Sequence, residues 1–287
     1  MLNKSTIQLL RIHFSFFLMP VFFFALSLQA HINWLNAAVI FFILHLLVYP
    51  ASNGYNSYMD RDETPIGGVK KPMQPTRQLY YVTIILDVAA VFFSLIISYW
   101  FALGILSYIL ISHAYSFRGI RLKKFPIIGY ITVVIFQGAF TFVLVHCGSG
   151  TPLSLSFPIL PAVASSLLIG GFYPLTQVYQ HEADLRDGVK TISYLLGYRG
   201  TFIFSALVYG LAMACLYFYF KQEDSLNQFL MLTTCLLPVL VYFMKWAVEV
   251  WHNNFAADYN HTMKLNVIAS ICTTAAFIIL LIWRTIE

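Results

Sequence analysis

The chain has 287 residues, of which 59% are hydrophobic and only 10% are Asp, Glu, Lys or Arg. This composition, with a mean hydropathy of +0.74, exceeds what a water-soluble core requires and predicts an all-α, polytopic membrane protein. The formal net charge is +5, but the basic residues stand in short clusters at the ends of apolar runs. That pattern is typical of membrane topology and argues against nucleic-acid binding.

Nine stretches are apolar enough to cross a bilayer as helices, which takes about 20 residues, although the fourth is short. They are predicted at 12–30, 33–53, 79–99, 101–116, 126–147, 156–178, 202–220, 227–246 and 265–284. No linker-like or low-complexity segment separates them. We therefore expect residues 1–287 to form a single nine-helix domain.

The basic residues sort onto one side of this predicted bundle. Fifteen of the seventeen Lys and Arg residues fall on the side of the N-terminus, and only Lys221 and Arg284 fall on the other. Because positive residues are retained in the cytoplasm, the N-terminus is predicted to be cytoplasmic. No cleavable targeting segment is recognisable, so a bacterial inner membrane is the expected location.

Two acidic segments lie on this cytoplasmic side, at residues 53–72 and 180–191, after the second and sixth predicted spans. Asn56 and Asp60 are four residues apart, which places their side chains on one face of a continued helix. Clustered acids repel one another unless a cation lies between them, and such oxygen ligands suit Mg²⁺, which commonly bridges carboxylates to substrate phosphates. The candidate metal ligands are Asn56, Asp60, Asp62, Glu63, Glu182, Asp184 and Asp187.

Basic side chains accompany both acidic segments and fill the loop at residues 112–126 on the same side. Such donors can neutralise a diphosphate leaving group as its bond to carbon breaks. The candidate diphosphate ligands are Arg121, Lys123, Lys124, Lys70, Lys71 and Lys190. Helices rich in aromatic residues offer an apolar channel for a prenyl tail and ring faces for an allylic cation. The predicted chemistry is ionisation of an isoprenyl diphosphate followed by alkylation.

These motifs resemble those of the UbiA superfamily of intramembrane prenyltransferases, and the resemblance covers essentially the whole chain. Asn56 and Asp60 match the first two positions of a family motif of the form NxxxDxxxD, whereas Thr64 stands at the third. In the second acidic motif, Glu182 and Asp184 match family acids. The two motifs together are specific, whereas either alone would be weak.

The resemblance implies a nine-helix bundle whose central cavity opens to the cytoplasmic side, with Mg²⁺ as the cofactor. It implies transfer of an isoprenyl group from a prenyl diphosphate to an aromatic or lipid-like acceptor, with Asn56, Asp60 and Asp184 as catalytic residues. Asp62 or Glu63 is expected to take over the part of the acid that is absent at position 64. By the same resemblance, Lys123 or Lys124 contacts the diphosphate.

Two other functions remain open at this stage. A membrane terpene cyclase of the same superfamily would use the same ionisation and let the prenyl chain attack itself. A secondary transporter would place its polar residues near the midplane, whereas both acidic segments here lie at one membrane face, which favours an enzyme. Within the predicted spans, Asp87 either orients an acceptor or packs against a partner, and Asn266 is expected to hydrogen-bond between helices.

Overall fold

The computed structural model describes residues 2–286, and over these residues helices account for 81% of the structure and no β-strand is present. The predicted all-α fold is confirmed. The α-helices are α1 (Lys4–Leu10), α2 (Met19–Ser27), α3 (Trp34–Phe42), α4 (Tyr49–Asp60), α5 (Arg77–Ser94), α6 (Tyr99–Ser116), α7 (Pro126–Val134), α8 (Thr141–Ser149), α9 (Ile159–Phe172), α10 (His181–Arg186), α11 (Ile192–Gln222), α12 (Leu226–His252) and α13 (Tyr259–Ile286).

Eight continuous helical segments within residues 2–286 are long and apolar enough to cross a membrane. They are Lys4–Ser27, Trp34–Asp60, Arg77–Ser94, Pro126–Ser149, Ile159–Arg186, Ile192–Gln222, Leu226–His252 and Tyr259–Ile286. The fourth predicted span corresponds to α6, which does not belong to this set. It is helical, but His113 and several Tyr and Ser residues make it less apolar than the other eight segments. The protein is a polytopic helical membrane protein, and the predicted count of nine spans is not confirmed.

Helix α4 continues beyond the predicted end of its apolar run because the first acidic motif is itself helical. The Asn56 side-chain amide donates to the Asp60 carboxylate at 2.9 Å, so the two side chains share a helix face as the four-residue spacing predicts. The helix ends at Asp60, since Arg61 adopts a left-handed conformation with φ of 56°. The first acidic motif therefore lies at the C-terminal end of this membrane helix.

Three long helices change their hydrogen-bonding pattern partway along. Residues Ile43–Val48 and Ile135–Phe140 form π-helical turns, and Tyr173–Gln180 is a 3₁₀ segment that begins beside Pro174. Such irregular turns are frequent at functional sites because they redirect side chains. The second and third of these segments contribute side chains to the polar cavity described below.

The two ends of the chain are held together by aromatic packing. The Phe24 ring of α2 stacks on Phe277 of α13 with centroids 4.4 Å apart and contacts Phe142 of α8 at 5.4 Å. All three rings are almost completely buried. Since lipid is as apolar as these side chains, close packing of this kind holds membrane helices together more than exclusion from water does.

Candidate active site

A polar cavity of about 220 Å³ lies where α4, the loop after α6, and α10 approach one another. Asn56 and Asp60 from α4, Asp62 from the following loop, Lys123 from the loop after α6, and Asp184 from α10 all line it. The cavity therefore unites both acidic segments with the basic loop, although they are far apart in the sequence. This convergence is what the sequence analysis expects of a shared site.

Asp60 is the most heavily contacted carboxylate of the cavity, and its side chain is only 6% exposed. Its Oδ2 atom accepts hydrogen bonds from Lys123 Nζ and from Asn56 Nδ2, and Asn56 also donates to Ser116 Oγ at 3.1 Å. Its Oδ1 atom lies 3.6 Å from the Arg121 guanidinium but has no hydrogen-bond partner, although it is buried. One oxygen of Asp60 is thus fixed, and the other is left free to accept a ligand.

The loop after α6 is tied to the second acidic segment through Asp187. Arg121 donates to both the Asp187 carboxylate and, at 2.9 Å, its backbone carbonyl oxygen, and Arg118 approaches the same carboxylate at 3.3 Å. Arg118 also donates to the carbonyl oxygen of Met59 at 2.8 Å, next to Asp60. These bonds clamp α4, the basic loop and α10 into one unit, because each arginine contacts two of the three elements.

The loop that follows α4 folds back over the site. Ile66 and Val69 exchange two backbone hydrogen bonds of 3.0 and 2.9 Å around Gly68, whose φ of 80° suits glycine alone among common residues. This turn keeps Asp62 against the cavity. Burial raises the pKa of Asp62 to about 6, and the neighbouring Asp60 carboxylate acts in the same direction. An anionic Asp62 is therefore favoured by any cation that enters the cavity.

Six predicted site residues do not reach the cavity. All of their side chains belong to exposed residues, and none lines it: Glu63, Lys70, Lys71, Lys124, Glu182 and Lys190. For Glu182 the reason is helical geometry, since a spacing of two residues turns by about 200° and places Glu182 and Asp184 on opposite faces of α10. Lys124 instead lies over the ring of Phe125, with Nζ 4.9 Å from the centroid.

Asp187 and Arg121 occupy an intermediate position. Neither residue lines the cavity. Arg121 forms an ion pair with Asp187 and also lies 3.6 Å from the carboxylate of Asp60, which does line it. The Arg121 guanidinium lies between the carboxylates of Asp60 and Asp187, and its side chain is 10% exposed. These contacts join the basic loop to α4 and to the end of the second acidic segment.

Arg11 is a cavity residue that the sequence analysis uses only as a topology signal. Its guanidinium is buried, donates to the carbonyl oxygens of Asn53 and Gly67 at 3.2 Å each, and leaves Nε without a partner. It adds a positive charge beside Asp62. Its position at the edge of an apolar run is the sequence signal for a functional residue. Burying a cation there is costly, so an arginine at such a position usually has a function.

Two of the four tyrosines that line the cavity contact each other. The hydroxyl groups of Tyr115 and Tyr173 are hydrogen-bonded to each other, and both rings are positioned next to Asp184. The chain contains 18 tyrosines, and their number and spacing do not indicate that these two are neighbours. Only the approach of α6 to the 3₁₀ segment after α9 brings them together.

The cavity residues fit a magnesium ion that is shared with an anionic substrate. Within residues 2–286, no three His, Cys, Asp or Glu side chains form a ready-made metal cluster. The free Asp60 Oδ1 atom and the carboxylates of Asp62 and Asp184 nonetheless supply hard oxygen donors. Mg²⁺ typically uses one or two carboxylates together with waters and substrate phosphates, so this donor set suits it when a phosphate is present.

The fold and this charged cavity at the helix ends define an integral membrane protein with an enzyme-like site. The sequence model of the UbiA prenyltransferase family matches residues 16–268. The chain therefore belongs to the UbiA prenyltransferase family. No curated protein matches it significantly in sequence.

Solved structures share the fold over nearly the whole chain. A UbiA homolog from Archaeoglobus fulgidus bound to DMAPP and Mg²⁺ gives a TM-score of 0.69 at 17% identity, covering 97% of this chain and 99% of that chain. The apo UbiA homolog from Aeropyrum pernix K1 gives 0.69 at 17%, covering 94% and 98%. A digeranylgeranylglyceryl phosphate synthase gives 0.62 at 16%, covering 97% and 98%. At these identities the similarity defines the fold.

Proposed function

We propose that the protein is a Mg²⁺-dependent intramembrane prenyltransferase, which transfers an isoprenyl group from a prenyl diphosphate to an aromatic or lipid-like acceptor and releases pyrophosphate. The observation that carries this proposal is the convergence of Asp60, Asp62 and Asp184 with Lys123 in one cavity. Membership of the UbiA family and the fold shared with a DMAPP-bound homolog support it.

The cavity residues divide into metal ligands and diphosphate ligands. Asp60, Asp62 and Asp184, with the amide oxygen of Asn56, would hold Mg²⁺, which when bound neutralises the diphosphate and stabilises it as a leaving group. Lys123 lines the cavity and pairs with Asp60, so its ammonium group can turn to an arriving diphosphate oxygen without a large movement.

The reaction breaks the bond between the prenyl C1 atom and the diphosphate oxygen, and the electron pair leaves with pyrophosphate. A carbon or oxygen atom of the acceptor then forms the new bond to C1 and loses its proton. The rings of Tyr115, Tyr173 and Phe136 line the cavity beside the carboxylates. They exclude water and present π-faces to the allylic cation, which protects it from hydrolysis.

We propose supporting roles for the remaining candidates. Arg121 and Asp187 position the basic loop, because their mutual bonds hold it against α10. Arg11 supplies positive potential from the N-terminal side of the cavity, next to Asp62. The exposed lysines contribute to the electrostatic attraction of the anionic donor at longer range, and the exposed Glu63 and Glu182 partly offset it.

We also propose that the cavity and the N-terminus face the cytoplasm of a bacterial inner membrane. Arg284, at the end of α13, donates to Gln228 near the start of α12 at 3.2 Å, which places it at the end opposite to the acidic cavity. Lys221 lies near the same end, at the close of α11. The concentration of the other basic residues around the cavity side supports this orientation.

The test uses purified protein in detergent or nanodiscs with geranyl diphosphate. We expect Mg²⁺-dependent release of pyrophosphate, with large losses in Asp60→Asn and Asp184→Asn. Products are analysed with and without an added aromatic acceptor, because a terpene cyclase would form the same cyclic product in both cases. Accumulation of prenyl diphosphate inside proteoliposomes without turnover would instead assign a transporter.

A further inference from the structure

A buried histidine stands at the start of the second acidic segment and takes no part in the proposed chemistry. His181 is the first residue of α10, is 7% exposed, and does not line the polar cavity. Its ring lies against that of Tyr198 on α11, with centroids 4.8 Å apart and an interplanar angle of 23°. Burying a polar ring is costly unless it is hydrogen-bonded, so this histidine requires a specific partner.

The partner is a chain of buried hydroxyl groups on α11. His181 Nε2 lies 2.8 Å from Ser193 Oγ, which lies 3.0 Å from Thr201 Oγ1. The single hydrogen of the Thr201 hydroxyl goes to a backbone carbonyl oxygen, that of Gly197 at 2.7 Å or that of Ser193 at 3.2 Å. Ser193 must then donate to Thr201, and its oxygen is left to accept from His181. The geometry therefore makes His181 Nε2 the donor at the head of the chain.

Gly197 makes this chain possible because it bends α11 between the two hydroxyl residues. Inside the helix it has φ of 66° and ψ of 174°, a conformation that residues with a side chain rarely adopt. In an unbroken helix Ser193 and Thr201 would be eight residues, or about 12 Å, apart along the axis. The bend brings their oxygen atoms to 3.0 Å.

The bond from His181 closes the second acidic segment into a loop. It joins the start of α10 to Ser193 in the first turn of α11, and Asp184 lies in the chain between them. On the far side of this loop, Arg121 binds the side chain and the carbonyl oxygen of Asp187, the residue that follows α10. Helix α10 is thus anchored at its start by His181 and just beyond its end by Asp187.

Asp184 depends on these anchors for its orientation. Its backbone carbonyl oxygen accepts from the N–H groups of Val189 and Asp187 at 2.8 and 3.1 Å, but over residues 2–286 its carboxylate accepts no hydrogen bond. The direction in which the carboxylate projects is therefore set by the backbone of α10. His181 and Asp184 are three residues apart, about 4.5 Å along that helix, so a rotation of α10 at His181 turns the carboxylate with it.

We propose that His181 is a positioning residue for the metal site, because its hydrogen bond to Ser193 fixes α10 on α11 and so directs Asp184 into the polar cavity. It acts through the backbone of α10 and contacts neither metal nor substrate. The proposal rests on the proposed function, in which Asp184 is a Mg²⁺ ligand, and it adds to that site a residue that holds the ligand in place. Replacing a group that orients a metal ligand typically lowers metal affinity by about 10- to 100-fold.

The experiment measures the dissociation constant of Mn²⁺ by electron paramagnetic resonance with the full-length protein in nanodiscs. Each titration is made with and without geranyl thiodiphosphate, an unreactive donor analogue. His181→Phe keeps a ring against Tyr198 and removes the donor. Ser193→Ala removes the acceptor but keeps the backbone N–H, which contacts Oε1 of the cavity residue Gln177 at 3.4 Å. We expect each change to weaken Mn²⁺ binding by about tenfold.

His181→Gln tests whether the hydrogen-bond donor is what matters. The amide nitrogen of glutamine takes the place of Nε2 and can donate to Ser193, although the ring that lies against Tyr198 is lost. The Mn²⁺ affinity of His181→Gln should therefore stay within about threefold of that of the unaltered protein. A loss as large as that of His181→Phe would assign the effect to ring packing and overturn the proposal.

A double-mutant cycle separates the positioning of Asp184 from a general loss of structure. Asp184→Asn weakens Mn²⁺ binding by itself but leaves Asp60 and Asp62 to hold the ion. If His181 acts through Asp184, adding His181→Phe to Asp184→Asn should lower the affinity no further, whereas independent effects would multiply. A further tenfold loss in the double variant would overturn the proposal.

His146→Phe is the matched control. His146 on α8 is 6% exposed, its ring stacks on that of Phe142, and its Nδ1 atom lies 3.2 Å from the carbonyl oxygen of Ala25. It does not line the polar cavity. His146→Phe should lower the thermal unfolding temperature, as His181→Phe does, and leave the Mn²⁺ affinity unchanged.

Three further results would overturn the proposal: equal Mn²⁺ losses in His146→Phe and His181→Phe, unaltered Mn²⁺ affinity in both His181→Phe and Ser193→Ala, or no Mn²⁺ binding by the unaltered protein. The assay for pyrophosphate release is a separate measurement. Absence of release from geranyl diphosphate, with the coupling between His181 and Asp184 intact, would remove the proposed function and leave the positioning role of His181 standing.

Discussion

Replacing Lys123 with methionine should move two measurable properties in opposite directions. Lys123 and Asp60 form an ion pair whose side chains are only 11% and 6% exposed. Two unit charges about 4 Å apart attract by about 4 kcal/mol at an effective dielectric constant of about 20, and desolvation offsets part of this. A net value of about 1.5–3 kcal/mol is usual for a hydrogen bond to a charged group.

Because the lysine competes with a cation for Asp60, Lys123→Met should tighten Mg²⁺ binding to the substrate-free protein by about 10- to 100-fold. The same change removes a donor that stabilises the departing diphosphate. The kcat/KM for pyrophosphate release should therefore fall by about 10²- to 10³-fold. Isothermal titration of Mg²⁺ and a coupled pyrophosphate assay with geranyl diphosphate measure the two effects.

Lys124→Met serves as the matched control, since it removes the adjacent charge from an exposed side chain that lies over Phe125. The Mg²⁺ affinity and the kcat/KM for pyrophosphate release should both stay within about threefold of those of the unaltered protein. Surface substitutions usually change a free energy by about 0.5 kcal/mol or less. Weaker Mg²⁺ binding in Lys123→Met would refute the reasoning, because it would mean that the lysine does not compete for Asp60. Equal losses of turnover in both variants would also refute it, since they would indicate a long-range charge effect.

Three further outcomes are expected. Since burial raises the pKa of Asp62 to about 6 and Mg²⁺ takes the ionised carboxylate, Mg²⁺ affinity should fall as the pH is lowered through about 6; an affinity that stays constant down to about pH 4 in isothermal titrations would contradict this. Removal of Mg²⁺ with EDTA should stop pyrophosphate release and re-addition should restore it, so persistent release in EDTA would exclude the proposed metal role. Asp87→Asn should lower the free energy of unfolding by about 1–3 kcal/mol, because Asp87 forms a partly buried 2.8 Å hydrogen bond with His113, and kcat should barely change; lost turnover with unchanged thermal unfolding would place Asp87 in the acceptor site.

The features that the sequence predicts correctly depend on local periodicity. Apolar runs of bilayer length identify the membrane helices, and a spacing of four residues places Asn56 and Asp60 on one face of α4. The same rule explains one failure. Glu182 and Asp184 are two residues apart, so a helical second motif can present only one of them to the cavity, and the sequence analysis treats the motif as a cluster without assigning its conformation.

The features that the sequence does not predict depend on contacts between distant segments. Arg11 reaches the carbonyl oxygens of Asn53 and Gly67 only because α1 packs against α4 and the following loop folds back. Tyr115 and Tyr173 meet across two helices that no local pattern pairs. Single-sequence periodicity carries no information about which helices are neighbours, so these cavity residues require the structure.

The most direct test of the shared acidic site is electron paramagnetic resonance of Mn²⁺ in place of Mg²⁺, with geranyl thiodiphosphate bound to the purified protein. We predict hyperfine coupling between Mn²⁺ and the phosphorus nuclei of the analogue, and loss of that signal in both Asp60→Asn and Asp184→Asn. Mn²⁺ that binds without phosphorus coupling, or coupling that survives either substitution unchanged, would contradict a cation held jointly by the two acidic segments and the diphosphate.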